Sequence, residues 1–136
     1  MRSATMCRGF TLFEMLVVLA IMGLAVALFE AHGTGGSARL GLRAAAEAVA
    51  NAADQARAQA QSTNRPSVLV VEPGSWRIDG GKPHALDTKV RISPATVHFA
   101  PDGTSSGGHV DLRDGSLKAD VEIGWLTGAA RIGYGS

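Results

Sequence analysis

Twenty consecutive residues, Phe10 to Phe29, carry a single charge, Glu14. Coiled as a helix, that length spans about 30 Å, the thickness of a bilayer's hydrocarbon core. Arg2 and Arg8 precede the segment and Glu30 follows it. The positive-inside bias therefore keeps the N-terminus in the cytoplasm and sends the remainder across the membrane. Whatever else this chain folds into, it must do so with the residues after this segment, about 100 of them, enough for one modest core.

Three readings of the segment compete. It can be a cleaved secretory signal, with Ala25-Val26-Ala27 as the cleavage site and a mature start near Leu28. It can be a plain signal anchor. Or Gly9-Phe10-Thr11-Leu12-Phe13-Glu14 can be a processing site before an apolar helix that stays on the protein. Glu14 separates them. A carboxylate in an apolar span costs about 2.5–3.5 kcal/mol on insertion scales, and neither a signal peptide nor an anchor gains from it. Cleavage after Gly9 would create a positive partner, the α-amine of Phe10, within the same chain or on a neighbour.

Those residues, continued by Met15-Leu16-Val17-Val18-Leu19-Ala20-Ile21, resemble the N-terminus of type IV pilins and type II secretion pseudopilins. The resemblance implies cleavage by a prepilin peptidase between Gly9 and Phe10, N-methylation of Phe10, and a role for Glu14 in guiding subunits into a helical filament. It divides the chain into a leader (1–9), a transmembrane and filament-core helix (10–30), a Gly-rich joint (31–36) and a periplasmic α+β domain (37–136).

Charge excludes little beyond this. The 13 basic and 12 acidic residues are interspersed, and no basic stripe of the kind that tracks a phosphate backbone stands out along the sequence. Nucleic acid is not an expected partner. The single cysteine, Cys7, precedes the apolar run and leaves with the leader, so neither a disulfide nor a thiolate metal site is available.

Past the span, His32-Gly33-Thr34-Gly35-Gly36 weakens helix by about 1 kcal/mol per glycine and reads as a flexible joint. It lacks the Gly-Lys-Ser/Thr ending of a phosphate loop. From Leu40 to Ser62, Leu42, Ala45, Ala46, Val49, Ala52, Ala53, Ala56 and Ala60 recur at three- and four-residue spacing. They predict a second helix with an Ala stripe that a sheet can approach closely. Asn64 and Pro66 end it. Beyond Ser67 the period changes to two: Val68–Val71, Trp76–Ile78, Val90/Ile92, Val97/Phe99, Val110/Leu112, Val121/Ile123 and Ala130–Ile132 predict about seven short antiparallel strands with one buried face.

Chemistry is sparse. His32, His84, His98 and His109 show no metal-ligand spacing, although His98 and His109 flank one loop and could approach across a hairpin. Asp102, Asp111 and Asp114 do not fit an EF-hand; calcium occurs in some pseudopilins, and the sequence neither requires nor excludes it. No Gly-x-Ser-x-Gly elbow is present. Trp76 and Trp125 are expected as core anchors or interface residues. No catalytic residue, metal ligand or cofactor is expected, and an enzyme is not.

Within the run Phe99-Ala100-Pro101-Asp102-Gly103-Thr104-Ser105-Ser106-Gly107-Gly108, the flexible, polar stretch from Thr104 to Gly108 is read as a hairpin loop. With Trp125-Leu126-Thr127-Gly128-Ala129-Ala130-Arg131, the run is similar to the C-terminal region of the H-type minor pseudopilins and their minor type IV pilin relatives. The resemblance implies a type IV pilin-like α+β fold: a hydrophobic helix, an Ala-rich helix, and an antiparallel sheet domain. It also implies a single-pass inner-membrane location and a set of partners: other major and minor pseudopilins, the prepilin peptidase, the inner-membrane assembly platform and secreted cargo. A minor type IV pilin serving priming, adhesion or DNA uptake shares the N-terminal motif. Mass spectrometry of the mature chain checks the resemblance. A methylated Phe10 start is expected, abolished by Gly9→Val; a start near Leu28 would indicate an ordinary signal peptide.

Overall fold

Thr11 opens the helix. Its Oγ1 accepts a hydrogen bond from the Glu14 N–H at 3.1 Å, and its carbonyl accepts the Met15 N–H at 3.1 Å. Thr-x-x-Glu is the spacing of a capping box, in which the first residue satisfies an N–H that the first turn leaves without a partner. The computed structural model describes residues 11–135, apart from the side chains of residues 32–35. From this cap, α1 runs over Leu12–Thr63 as one helix.

That differs from the two helices expected. Helical backbone continues through residues 31–36, because glycine lowers helix propensity without removing the N–H donor, and no proline interrupts the ladder. The end is where the sequence places it. Asn64 turns left-handed (φ 54°), and the Arg65 N–H reaches back to the Ala60 carbonyl at 3.3 Å, the bond of a Schellman stop. Pro66 follows.

The chain divides into two compact units, the first ending at Gly36 and the second beginning at Ser37. In the first, the large apolar side chains from Leu12 to Phe29 are exposed, and the helix reaches a mean hydropathy of 2.6 over 18 residues. It is long and apolar enough to cross a membrane.

In the second unit the helix meets eight strands, one more than the sequence pattern shows. They are β1 (Ser67–Glu72), β2 (Ser75–Ile78), β3 (His84–Ala85), β4 (Arg91–Ile92), β5 (Ala95–Phe99), β6 (Gly108–Asp114), β7 (Leu117–Ile123) and β8 (Ala130–Gly135). The unforeseen one, β3, is two exposed residues paired to β2; with nothing to bury, it has no periodicity to read.

The strands form two sheets rather than one, ordered β3-β2-β1-β5 and β4-β6-β7-β8, with every pairing antiparallel. The chain changes sheets at Ser93-Pro94. There the Ser93 N–H donates to the Asp111 carbonyl and the Asp111 N–H donates to Ser93 Oγ, at 2.9 and 2.8 Å. Pro94 has no N–H to extend the β4 ladder, so β5 leaves to pair with β1. The loop after β5 first folds back on that strand as a tight hairpin, with Phe99 bridged antiparallel to Ser105 and the Ser106 N–H donating to the His98 carbonyl at 2.9 Å, and then crosses to the second sheet.

One core joins all three layers of this unit. The Ala stripe foreseen in the helix (Ala45, Ala46, Ala52, Ala53, Ala56, Ala60, with Leu42 and Val49) is buried with Leu69, Val71, Val97 and Phe99 of the first sheet and Val110, Leu112, Val121 and Ile123 of the second. Strand alternation holds through it, as in β7, where Ala119, Val121 and Ile123 are buried and Lys118 and Glu122 are exposed.

Asp79 fastens the helix to the first hairpin. It takes a left-handed turn (φ 51°) with Gly80, and its carboxylate turns back on the start of β1 and on the helix. Oδ1 accepts the Val68 N–H at 2.7 Å; Oδ2 accepts Gln59 Nε2 at 2.7 Å and the hydroxyl of the buried Ser67 at 3.1 Å. Asp79→Ala is expected to cost about 1–3 kcal/mol, whereas Asp79→Asn, which tolerates the left-handed turn and keeps one acceptor, costs less. Urea unfolding followed by circular dichroism measures both.

Candidate assembly site

Of the three residues expected to carry function, Gly9 and Phe10 lie outside the described residues, as do the leader and Cys7. Glu14 stands in the first turn of α1, exposed on an apolar surface. A carboxylate in that turn interacts favourably with the positive end of the helix dipole, an advantage it would lose at mid-span. Its neighbour Thr11 is the residue that sequence reasoning missed. Thr11-x-x-Glu14 is legible as a cap, but the family motif drew attention to the carboxylate alone.

Near the start of β8 the second unit presents two adjacent exposed apolar side chains. Trp125 is 68% exposed and Leu126 63%, so Trp125 is not a core anchor. They rim a cavity of about 260 Å³ lined also by Glu122, Gly124, Thr127, Ala129 and Arg131. Trp76, by contrast, is half-buried and stacks on the His84 ring at 4.2 Å.

The loop holding Trp125 is tied down on both sides. Within it, the Gly124 N–H donates to the Ala129 carbonyl and the Gly128 N–H to the Gly124 carbonyl, at 3.0 and 2.8 Å. Across it, the Ser105 N–H donates to the Trp125 carbonyl at 2.8 Å and the Ser105 hydroxyl to the Gly124 carbonyl at 2.9 Å. The segment after β5, expected to be flexible from its composition, is thus pinned to its neighbour. Its own turn is closed by Asp102, whose Oδ1 accepts from Thr104 N–H and Oγ1 at 3.0 and 2.7 Å. These bonds from Thr104 lower the Asp102 pKa, so they are held above the ordinary carboxylate range and lost as pH falls through the depressed value.

Beneath both loops lies Arg57. Its side chain runs against two left-handed glycines, Gly103 (φ 92°) and Gly128 (φ 65°), and its buried Nε has no hydrogen-bond partner. A Cβ at Gly128 would also overlap the Gly103 carbonyl oxygen. Here the arginine acts as packing, with its Cδ and guanidinium set against the two glycines.

The histidines are dispersed. His98 lies on β5 and His109 on β6, in different sheets. His109 contacts Asp111 at 3.1 Å, and the side chain of His32 is outside the described residues. Among the described residues no three His, Cys, Asp or Glu side chains cluster as metal ligands.

Two substitutions separate packing from polarity beneath the loops. Gly128→Ala combines a strained φ with a backbone overlap and is expected to lower stability by at least about 1–3 kcal/mol. Arg57→Met keeps the stem, removes the unpartnered Nε, and is expected to stay within about 1 kcal/mol of the parent. Thermal melts, with tryptophan emission as the local probe, distinguish the two.

Comparison with known proteins agrees with this geometry. The prokaryotic N-terminal methylation motif matches residues 5–29. The type II secretion system protein H of Xanthomonas campestris pv. campestris is 34% identical over 140 residues, which cover 93% of this chain and 83% of that protein. No solved structure matches. With a methylation motif at the head of the apolar helix and identity running on through the two-sheet unit, the chain belongs to the type II secretion system protein H family, the minor pseudopilins of type II secretion.

Proposed function

We propose that this subunit is cut between Gly9 and Phe10 by a prepilin peptidase, methylated on Phe10, and built into the periplasmic pseudopilus through the helix beginning at Thr11. Before assembly the helix is a single-pass inner-membrane anchor, N-terminus cytoplasmic and two-sheet unit periplasmic. After assembly it packs among the helices of other major and minor pseudopilins. The inner-membrane assembly platform drives that transfer, and the filament moves secreted cargo toward the outer membrane. The chain acts by assembly; no step of this role requires catalysis or a cofactor.

The observation that carries the reading is an exposed apolar helix surface interrupted by one first-turn carboxylate. In lipid, Glu14 is expensive by about 2.5–3.5 kcal/mol. Placed beside the α-amine of an incoming subunit's Phe10, it gains a partner of opposite charge, and its cost becomes a term that favours the assembled state.

Substitution at Glu14 tests this. Glu14→Ala and Glu14→Gln are expected to insert and be processed like the parent, yet to co-purify with the major pseudopilin at roughly one-tenth of its level, the effect of about 1.4 kcal/mol. Because Gln keeps the shape and removes the charge, parent-level assembly of that variant would refute the pairing. Loss of the subunit is expected to leave exoproteins in the periplasm.

A further inference from the structure

On the outward face of the second sheet, register sets like charges side by side in two rows; a third row mixes them, with Glu122 between His109 and Arg131, and His109 contacts Asp111 at 3.1 Å. Arg91 of β4 stands opposite Arg113 of β6, and Arg113 stands opposite Lys118 of β7. Two residues along the strands, Asp111 of β6 stands opposite Asp120 of β7. All three cations and Asp111 are exposed. Among the described residues, none of the three cations makes an ion pair or a side-chain hydrogen bond.

An outward sheet face is ordinarily polar, so charge alone says nothing. Its arrangement is the informative part. Like charges directly opposite one another destabilise a strand pair, and opposite charges stabilise it. Here two adjacent like-charge pairings, Arg91–Arg113 and Arg113–Lys118, create a basic row of about 10 Å across three strands, at about 4.8 Å per strand. The acidic row runs parallel to it, about 7 Å away. Glycine at position 133 of β8 extends that second row: a Cβ there would lie 2.6 Å from Asp120 Oδ1, so the carboxylate leans over the neighbouring strand.

We infer that this face is a docking surface for another protein, one that presents a stripe of carboxylates beside a stripe of cations. A helix lying across the strands meets the dimensions. Acidic residues at i, i+4 and i+7 span about 10.5 Å on one flank, and basic residues on the other flank reach Asp111 and Asp120. A polyanion such as duplex DNA, or an anionic bilayer, fits poorly, because its continuous negative surface would meet the acidic row as well as the basic one. The inference concerns the second unit alone and does not depend on how the N-terminal helix assembles.

The test uses the full chain in non-ionic detergent and a synthetic helical peptide with Glu at i, i+4 and i+7 and Lys along the adjacent flank. Saturable binding is expected, weakening about tenfold between about 0.05 and 0.5 M NaCl. It should fall at least about tenfold in the Arg113→Glu/Lys118→Glu variant and recover with a peptide that carries Lys on both flanks. Circular dichroism establishes that the variant is folded; if it is not, Arg91→Glu on the short strand β4 gives the same reading. Failure to bind at low salt, equal binding of a scrambled peptide, or indifference to these substitutions would overturn the proposal. So would tighter binding to duplex DNA or phosphatidylglycerol vesicles, or self-association of the chain that the same substitutions abolish.

Discussion

The second unit depends on one helix face whose burial is shared with both sheets. Ala45, Ala46, Ala52, Ala53, Ala56 and Ala60 make up most of that face. A methyl group is the largest thing any of them places between the helix backbone and the strands, so bulk in the core comes from the sheets, chiefly Leu69, Phe99, Leu112 and the valines. The division is economical for the helix, since alanine is its best former and loses no rotamer freedom on burial. It also leaves little tolerance. An added methylene on the stripe would push the helix from both sheets together, and a close-packed interior accommodates such growth by strain.

Around that contact, the polar fastenings sit where the chain changes direction. Asn64 stops the helix, Asp79 ties the first hairpin back to Gln59, Ser93 and Asp111 mark the passage between sheets, and Ser105 joins the two loops over Arg57. Asn64 does so by its left-handed backbone, while Asp79, Ser93 and Ser105 each use a short side chain to satisfy a backbone group. They connect separate elements, and the Ser105 bonds fix the loop that presents Trp125 and Leu126 to solvent.

Much of this was legible in the sequence, for definite reasons. The Ala stripe, the helix stop at Asn64 and most of the strands announce themselves because burial on one face imposes a period. The membrane-length segment and Glu14 are legible because a charge in an apolar run has few explanations. What escaped was of two kinds. β3 buries nothing, so it carries no pattern. The division into two sheets hangs on which strand β5 chooses, and alternation in Val97 and Phe99 is the same whether the partner is β1 or β6. The continuity of the helix through residues 31–36 was hidden for a third reason: glycine lowers a propensity that neighbouring turns can still carry. The second unit's charge rows were equally invisible, because sign along a strand says nothing until register sets one strand beside another.

The exchange of strands between sheets also sets the order in which this unit can come into being. β4 closes the second sheet and β5 closes the first, so the two ladders are interleaved along the chain. Neither sheet has all its members until the other is under way, and the last edge, β8, lies some 70 residues beyond the end of the helix it helps to cover. Contacts so distant in sequence close slowly, since loop entropy is lost before they contribute. In the proposed topology, with the N-terminus held in the cytoplasm and the helix emerging ahead of the strands, the unit would therefore expose its Ala stripe until almost all of it had arrived. Completion of the fold becomes a signal that the whole unit has been delivered.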